Sequence, residues 1–289
     1  MTMTTIDNTD VSLPEGGLVY RHRLSTRIWH WINALTLLIM LMSGLMIFNA
    51  HPRLYWGDYG ANADPAWLEI GSGGGESYLR IGSLTVETTG VLGLWHDGNG
   101  TLRSRAFPGW ATIPSYYSLS MGRLWHLTFA WVFALGIVAY GVWSWLNRHI
   151  ERDLLPSKTE IHPSHIWDDV KKHARLDFPK GEAALNYNIL QKLAYLGVLG
   201  VLIPVAILTG LTMSPAMNAS WPWLLDIFGG RQSARSIHFI VAWLLVGFFL
   251  VHIAMVVLAG PLNEIRSMIT GRYRLPPENA EVKAEEKDA

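Results

Sequence analysis

The sequence predicts an all-α membrane protein, a four-transmembrane-helix bundle with a long extracytoplasmic loop between helices 1 and 2. Of its 289 residues, 50% are hydrophobic and only 16% are charged. The apolar residues cluster into four runs of about 20 or more, the length that crosses a hydrocarbon core of ~30 Å at ~1.5 Å per residue. A long polar and Gly-rich stretch separates the first run from the second.

Each apolar run is nearly free of charge and rich in Leu, Val, Ile and Ala. The predicted spans are 28–48, 124–146, 190–213 and 236–259. Trp and Tyr gather at their ends, as expected where rings lie among lipid headgroups. Pro204 is expected to kink the third span. We therefore expect one transmembrane domain over residues 1–275 and a polar C-terminal tail over 276–289.

The positions of Lys and Arg predict the orientation. Of these 23 residues, 16 lie before span one, after span four, in the 148–188 loop or at Lys192, and only 7 lie in 49–123 and 214–235. The positive-inside rule then places both termini in the cytoplasm and the 49–123 loop outside. Residues 1–20 lack the apolar core of a cleavable signal peptide, so span one reads as a retained anchor. We expect a multi-pass protein of a bacterial inner (plasma) membrane, in contact with membrane lipid.

The outer loop, 49–123, is too long to be a simple connection. It is rich in Gly, Trp and Tyr and includes the strand-like stretch "YLRIGSLTVETTG". The aromatic residues argue against disorder. Two interpretations stay open: a self-packed cap over the outer face, or a docking platform for a partner protein. In the cytoplasmic loop, "HPSHIWDDVKKHARLDF" predicts an amphipathic helix along the membrane surface.

Composition excludes several kinds of site. The chain has no cysteine, which excludes disulfides, iron–sulfur clusters held by Cys and covalent C-x-x-C-H haem attachment. A redox cofactor would have to be held by histidine or by contact alone. The formal net charge is zero, so nothing suggests a nucleic-acid partner.

Three spans open with the same pattern, an arginine three residues before a histidine. The motifs are "TRIWHW" (Arg27, His30), "GRLWHL" (Arg123, His126) and "ARSIHF" (Arg235, His238), and His252 lies deep in span four. An ionisable residue inside a span is a functional hypothesis by default. A single such histidine could equally form a hydrogen bond between two helices. The arrangement of all four histidines must therefore distinguish a structural role from a functional one.

The four histidines are expected to pair at two depths. His238 and His252 are 14 residues apart, nearly four helical turns, and so share a face with ~21 Å between them. The topology puts His30 at the inner level with His252, and His126 at the outer level with His238. Two imidazoles on opposing helices at one depth suit bis-histidine ligation of haem iron. The sequence therefore predicts two b-type haems.

The arginines lie one turn closer to the surface than their histidines, on about the same helix face. Arg27, Arg123 and Arg235 are thus placed to pair with haem propionates. Alternatively, they anchor the span ends among lipid phosphates. The identical offset in three motifs favours the haem. Other histidines outside the spans are interpreted as interfacial or surface residues, although they could contact a quinone or shuttle protons: His22, His51, His96 and His149.

Four segments carry a family resemblance: "RIWHWINALTLLIMLMSGL", "RLWHLTFAW", "ILTGLTMSP" and "IFGGRQSARSIHFIVAWLLVGFFLVHIAMV". They resemble the bacterial cytochrome b561 family, in the branch with the cytochrome b subunits of nickel–iron hydrogenases and of periplasmic molybdopterin oxidoreductases. The resemblance covers about residues 20–275. It implies a four-helix bundle with two b haems at the positions matching His30, His126, His238 and His252. It also implies electron exchange between a quinone and a second redox partner.

The chain differs from some relatives in two ways. It lacks the fifth helix of some hydrogenase and formate-dehydrogenase relatives, and its outer loop is longer than in the compact superoxide-oxidising members. The loop, with "HPRLYWGDYG", resembles those of members encoded with a sulfite-oxidase-like molybdenum enzyme. We expect the electron-transfer subunit of an oxidoreductase complex, linking the quinone pool to a periplasmic, molybdopterin-dependent redox protein. The alternatives are a stand-alone superoxide:quinone oxidoreductase and a non-redox membrane transport or assembly protein.

Overall fold

The computed structural model describes residues 17–148, 150, 154–157, 159–175 and 188–274. The predicted polar tail and His149 lie outside these residues. The helices are α1 Leu24–Phe48, α2 Leu119–Leu146, α3 Pro163–Ala174, α4 Ile189–Gly197, α5 Ile203–Met213, α6 Pro215–Ser220, α7 Pro222–Ile227, α8 Arg231–Leu258 and α9 Pro261–Thr270. The strands are β1 Leu18–Tyr20, β2 Arg53–Leu54, β3 Leu68–Gly73, β4 Glu76–Ile81, β5 Leu84–Glu87, β6 Gly93–His96, β7 Leu102–Arg105 and β8 Arg272–Arg274.

Four helical segments of the described chain are long and apolar enough to cross a membrane. They are α1, α2, the continuous stretch Ile189–Met213 and α8. The prediction of four apolar helices long enough to span a membrane is therefore confirmed. Three helices begin four or five residues earlier than predicted, because the polar residues of each R-x-x-H motif already lie in the helix.

The third span is irregular near its proline. After α4, the residues Val198–Leu202 form a wider π-helical turn, and Pro204 lies in the first turn of α5. Proline removes one backbone donor, and a locally wider turn is a common way to absorb such a break. The irregularity therefore falls where the sequence predicts a kink.

The chain is mostly helical, as predicted, but the segment between α1 and α2 adds strands that an all-α fold does not include. β2, β3, β4 and β5 form an antiparallel sheet in that order, and β6 pairs with β7. The strand-like stretch "YLRIGSLTVETTG" contains most of β4 and all of β5, in register through Leu79 opposite Val86. β-branched and aromatic residues favour such strands.

This segment has a packed core of its own that continues onto the helix ends. The buried members are Phe48, Leu54, Leu68, Ile70, Ala106 and Phe107, and Phe239 packs against them. Phe48 of α1 stacks on Phe239 of α8 with ring centroids 4.8 Å apart. The segment is thus a self-packed cap seated on the ends of α1 and α8, and residues 49–118 are called the cap below.

The chain divides into two compact units. The first comprises Met1–Ile28, Pro156–Gln191 and His252–Ala289, and the second comprises Trp29–Leu155 and Lys192–Val251.

In the first unit, β1 pairs antiparallel with β8, and the Arg21 guanidinium forms an ion pair with Glu264 at 3.0 Å. The amphipathic helix predicted from "HPSHIWDDVKKHARLDF" is present there as α3.

In the second unit, the long helices contact one another closely. A Cβ added to Gly122 of α2 would come within 2.6 Å of Met46 in α1, and Trp29 of α1 covers Gly136 of α2. The site described next joins α1, α2, α5 and α8.

Candidate haem-binding site

His126 of α2 and His238 of α8 lie side by side in the second unit. Their ring centroids are 6.2 Å apart and the rings are inclined at 71°. The two helices are far apart in sequence, so their packing alone brings the imidazoles together. This is the pair that the sequence places at the outer level.

The Nδ1 atom of His126 is held by α1. It lies 3.0 Å from the carbonyl oxygen of Met40 and 3.2 Å from the Ser43 hydroxyl. The Ser43 hydroxyl donates its own proton to the carbonyl of Ile39, at 2.7 Å. A carbonyl only accepts, so the nitrogen that faces it carries the imidazole proton.

The Nδ1 atom of His238 is held by α5 in the same way. It lies 3.0 Å from the carbonyl oxygen of Ala206 and 3.0 Å from the Thr209 hydroxyl. The Thr209 hydroxyl donates to the carbonyl of Val205, at 2.6 Å. The offsets along α5 repeat those along α1: a carbonyl acceptor, then a hydroxyl three residues later.

Glycine follows the hydroxyl residue in both helices. A Cβ added to Gly44 would stand 3.4 Å from Cε1 of His126, and one added to Gly210 would stand 3.4 Å from Cε1 of His238. The missing side chains let the backbone of each helix approach the ring face of its histidine. Small residues commonly allow such close approach between membrane helices.

The donor set fits a metal held between the two rings. With both Nδ1 atoms bonded to carbonyls, each Nε2 atom keeps its lone pair for a metal ion. A bond from imidazole nitrogen to a first-row metal is about 2.0–2.1 Å, so two such bonds and two ring half-widths of about 1.1 Å place the centroids about 6.3 Å apart. The observed 6.2 Å agrees with one shared metal.

Arg235 holds the cap to α8. Its Nη1 donates to the carbonyl of Arg53 at 2.9 Å, and its Nη2 donates to the carbonyl of His51 at 2.5 Å. The Ser236 hydroxyl donates to the Tyr55 carbonyl at 2.6 Å. The first turns of α8 and the start of the cap are therefore bonded together, a contact set that we call the strap.

The strap contains further bonds. Gly57 donates its N–H to the Ser233 hydroxyl at 2.7 Å, and its carbonyl accepts from the N–H groups of Gln232 and Ser233. Trp67 donates its indole N–H to Ser236 at 2.9 Å. The helix N-terminus thus satisfies part of its unpaired backbone donors through the cap.

The other two predicted arginines have different surroundings. Arg123 is exposed at the start of α2. In the first unit, Arg27 is half-buried, and its Nε is buried with no hydrogen-bond partner among the described residues. Its Nη1 would lie 2.7 Å from a Cβ on Gly271, whose φ is +82°. Only glycine readily combines this backbone conformation with room for the guanidinium.

His30 and His252 belong to different units, and their pairing stays a prediction. His30 lies in α1, half-buried and edge-on to Trp31 with centroids 5.1 Å apart. The neighbouring Trp29 stacks on Tyr140 of α2 at 5.5 Å. His252 lies half-buried in α8.

The remaining histidines that the structure describes form no metal cluster. Among the described residues, no group of three or more His, Asp or Glu side chains could hold a metal ion. His96, His162 and His165 are exposed. The His51 ring stacks on Tyr55, and its Nε2 is buried without a hydrogen-bond partner in the described chain. Burial lowers the pKa of His51 below 6.5, and the charges of Arg235 and Arg53 lower it further.

Sequence reasoning missed Thr209 and gave Ser43, Gly44 and Gly210 no specific role. The signal was present as "SGL" at 43–45 and "TGL" at 209–211, a hydroxyl residue followed by Gly-Leu in two different spans. Its meaning depends on which helix faces which histidine, and the sequence alone does not give that pairing.

A model of the family described as prokaryotic cytochrome b561 matches residues 21–271. The chain belongs to the prokaryotic cytochrome b561 family. Membership of this family of membrane electron-transfer subunits implies a b-type haem. The neighbouring imidazoles of His126 and His238 are the donor type that can ligate such a group.

Two relatives of this cytochrome b561 chain are informative. It is 30% identical over 137 residues to an Azospira oryzae protein that is named as the YedZ1 subunit of a protein-methionine-sulfoxide reductase. That match covers 46% of the chain and 64% of the relative. It is 21% identical over 267 residues to a Cupriavidus necator protein named as a B-type cytochrome subunit of nickel–iron hydrogenase. This second match covers 88% of the chain and 86% of the relative.

Proposed function

We propose that the chain is a di-haem b-type transmembrane cytochrome that transfers electrons between the membrane quinone pool and a periplasmic redox partner. The observation that carries the proposal is the His126–His238 pair, with both Nδ1 atoms bonded to carbonyls and the rings 6.2 Å apart. When bound, haem supplies one-electron chemistry, and the protein supplies ligands, orientation and a dry environment.

His126 and His238 would hold the outer haem through their Nε2 atoms. Their tautomers are fixed by the Met40 and Ala206 carbonyls, so the ligating nitrogens are ready without a proton shift. Gly44 and Gly210 let α1 and α5 close against the rings. Arg235 is proposed to bind the propionates of this haem. Two of its five N–H groups donate to carbonyls of the cap, and three more can donate to other acceptors.

The inner haem is proposed at His30 and His252, with Arg27 for its propionates. The support is the 14-residue spacing between His238 and His252 on α8 and the unpaired buried Nε of Arg27. The 14-residue spacing is close to a whole number of helical turns, so one helix can serve both levels.

The proposed orientation puts both termini in the cytoplasm and the cap in the periplasm. The asymmetry of Lys and Arg between the two sets of loops supports it. A bacterial inner membrane follows from a quinone-linked role. In this orientation the outer haem lies on the side of the cap, near the periplasmic surface.

The proposed partner is a molybdopterin-dependent periplasmic oxidoreductase. One relative is named as a subunit of a protein-methionine-sulfoxide reductase, which supports a redox partner protein. The cap offers exposed aromatic side chains for docking, with Tyr59 87%, Trp110 81% and Tyr116 61% exposed. Tyr and Trp are enriched at protein interfaces, because they combine apolar area with a polar tip.

The first experiment is haem quantification on purified protein, by absorption spectrum and pyridine haemochrome. We expect two b haems per chain, one haem after His238→Ala, one after His252→Ala, and two after the control His165→Ala at an exposed site. Absence of b-type absorption bands from the purified wild-type protein would end the proposal. Loss of both haems from either variant, or of neither, would refute the pairing by depth.

A second experiment tests quinone and partner. A short-chain quinol should reduce the haems of the protein in nanodiscs, and a co-purified periplasmic protein should then reoxidise them. Rapid reduction by superoxide, with no partner recovered from native membrane, would favour the stand-alone superoxide:quinone oxidoreductase instead.

A further inference from the structure

We propose that Ser43 and Thr209 are positioning residues that set the reduction potential of the outer haem. Each hydroxyl accepts part of the Nδ1–H hydrogen bond of a ligating histidine and so raises the electron-donating strength of that imidazole. The inference rests on the proposed outer haem site, and it assigns a role to two residues whose hydroxyls contact the histidines.

The first step is the repetition of one geometry on two unrelated helices. In α1 the order is carbonyl 40, hydroxyl 43 and glycine 44, and in α5 it is carbonyl 206, hydroxyl 209 and glycine 210. The hydroxyl oxygen lies 3.2 Å from Nδ1 of His126 in one case and 3.0 Å from Nδ1 of His238 in the other. Each histidine N–H thus faces two oxygen acceptors.

The second step is the direction of the hydroxyl proton. Ser43 donates to the Ile39 carbonyl at 2.7 Å, and Thr209 donates to the Val205 carbonyl at 2.6 Å. With its proton used within its own helix, each hydroxyl turns a lone pair to the imidazole N–H. The hydroxyl is therefore an acceptor of the histidine proton and not a competing donor.

The third step is burial. Ser43 and Thr209 are both 0% exposed. Hydrogen bonds in a medium of low dielectric are electrostatically stronger than in water, and bonds in a chain polarise one another. The chain from the histidine N–H through the hydroxyl to the helix carbonyl pulls the Nδ1 proton away from the ring. A more basic imidazole stabilises ferric iron over ferrous iron and lowers the reduction potential.

The competing explanation is that each hydroxyl serves only to bond a carbonyl of its own helix. Ser and Thr inside membrane helices commonly bond the carbonyl four residues earlier without any role towards a neighbour. That explanation predicts no effect on a haem when the hydroxyl is removed, and the two explanations therefore differ in a measurable quantity.

The test is a potentiometric titration of the purified holoprotein in detergent, which resolves the outer and inner haems by their potentials. Ser43→Ala and the isosteric Thr209→Val should each raise the potential of the outer haem, and the double variant should raise it further. The combined shift in the ferric–ferrous equilibrium should reach up to about tenfold, which is about 59 mV for a one-electron couple. The inner haem should keep its potential.

The matched controls remove buried hydroxyls for which the described residues show no hydrogen bond to a histidine. Thr212 lies one turn from Thr209, is 2% exposed, and donates to the Thr209 carbonyl at 2.6 Å. Thr36 is buried in α1 at 2% exposure. Thr212→Val and Thr36→Val should leave the outer potential unchanged.

The outcomes separate this inference from the proposed function. Two haems in the wild-type protein, with an outer potential that neither variant moves, would overturn the inference alone. An equal shift after Thr212→Val would also overturn it. If Ser43→Ala and Thr209→Val lose the outer haem, the test uses Ser43→Thr and Thr209→Ser, because both variants keep the hydroxyl. Wild-type haem content and potential in these variants support the role. Loss of the outer haem from them overturns it. A wild-type protein without haem refutes the proposed function itself.

Discussion

Replacing Gly136 with alanine is expected to disturb the contact between α1 and α2 next to His30. A Cβ at this position would stand 2.4 Å from Cζ3 and 2.6 Å from Cη2 of Trp29. Carbon atoms in contact prefer about 3.5–4.0 Å, so the indole ring would have to retreat by about 1 Å or the helices would have to separate. Trp29 is stacked on Tyr140 at 5.5 Å, which restricts the retreat.

The magnitude follows from comparison with a matched variant on the same helix. Overpacking of this kind costs about 1–3 kcal/mol, while exchange of Gly for Ala inside a helix gains up to about 1 kcal/mol. A Cβ on Gly141, five residues further along α2, would meet no atom within 4 Å. Gly141→Ala therefore has the gain without the clash, and Gly136→Ala should be less stable than Gly141→Ala by about 1–3 kcal/mol.

The assay is denaturant unfolding in mixed micelles, followed by circular dichroism, with haem content measured on the folded protein. Because Trp29 precedes His30 in α1, Gly136→Ala should also lose the proposed inner haem before the proposed outer haem. Equal stability of the two alanine variants would refute the packing argument, and selective loss of the outer haem would refute its link to His30.

Two further predictions concern the cap. The pKa of His51 is lowered below 6.5 in the folded chain, so the unfolded chain binds more protons at this residue. The free energy of unfolding should therefore fall as the pH drops through about 6.5, and level off below the folded pKa. His51→Gln should flatten this dependence in unfolding measurements between about pH 5 and 7.5, and His96→Gln at an exposed position should keep it. Glu69 is 2% exposed and forms ion pairs with Arg53 and Arg80. Glu69→Gln should therefore destabilise the sheet by about 1–3 kcal/mol. The measurement is amide hydrogen exchange, which should become faster at Ile70 and Leu79. The exposed Glu87→Gln should leave exchange unchanged, and equal exchange in both variants would contradict the role of the ion pairs.

The sequence was sufficient to locate the spans and to suggest how the histidines pair by depth. Hydrophobic length locates a span directly, and alternating direction puts His126 and His238 at one level, where the structure brings them together. Helix starts were less accurate, because Arg231 to Arg235 look like a loop by polarity. The cap bonds Gln232, Ser233 and Arg235 in this stretch, which favours a helix that begins at Arg231.

The rest depended on contacts between distant parts of the chain. Ser43 and Thr209 receive their role from histidines on other helices, 83 and 29 residues away. Arg235 bonds carbonyls of the cap, which its position before His238 does not reveal. The short strands of the cap alternate weakly, and their pairing is set by the apolar core beneath them.

The strap has a consequence for the kinetics of the proposed electron transfer. The cap is fastened at His51, Arg53, Tyr55 and Gly57 to the same first turns of α8 that lead to His238. A donor or acceptor protein bound to the cap would therefore keep a nearly fixed tunnelling distance to an iron bound at His238. The turnover rate would then depend on the association and dissociation rates of the two proteins. A flexible tether between the cap and α8 would not increase it.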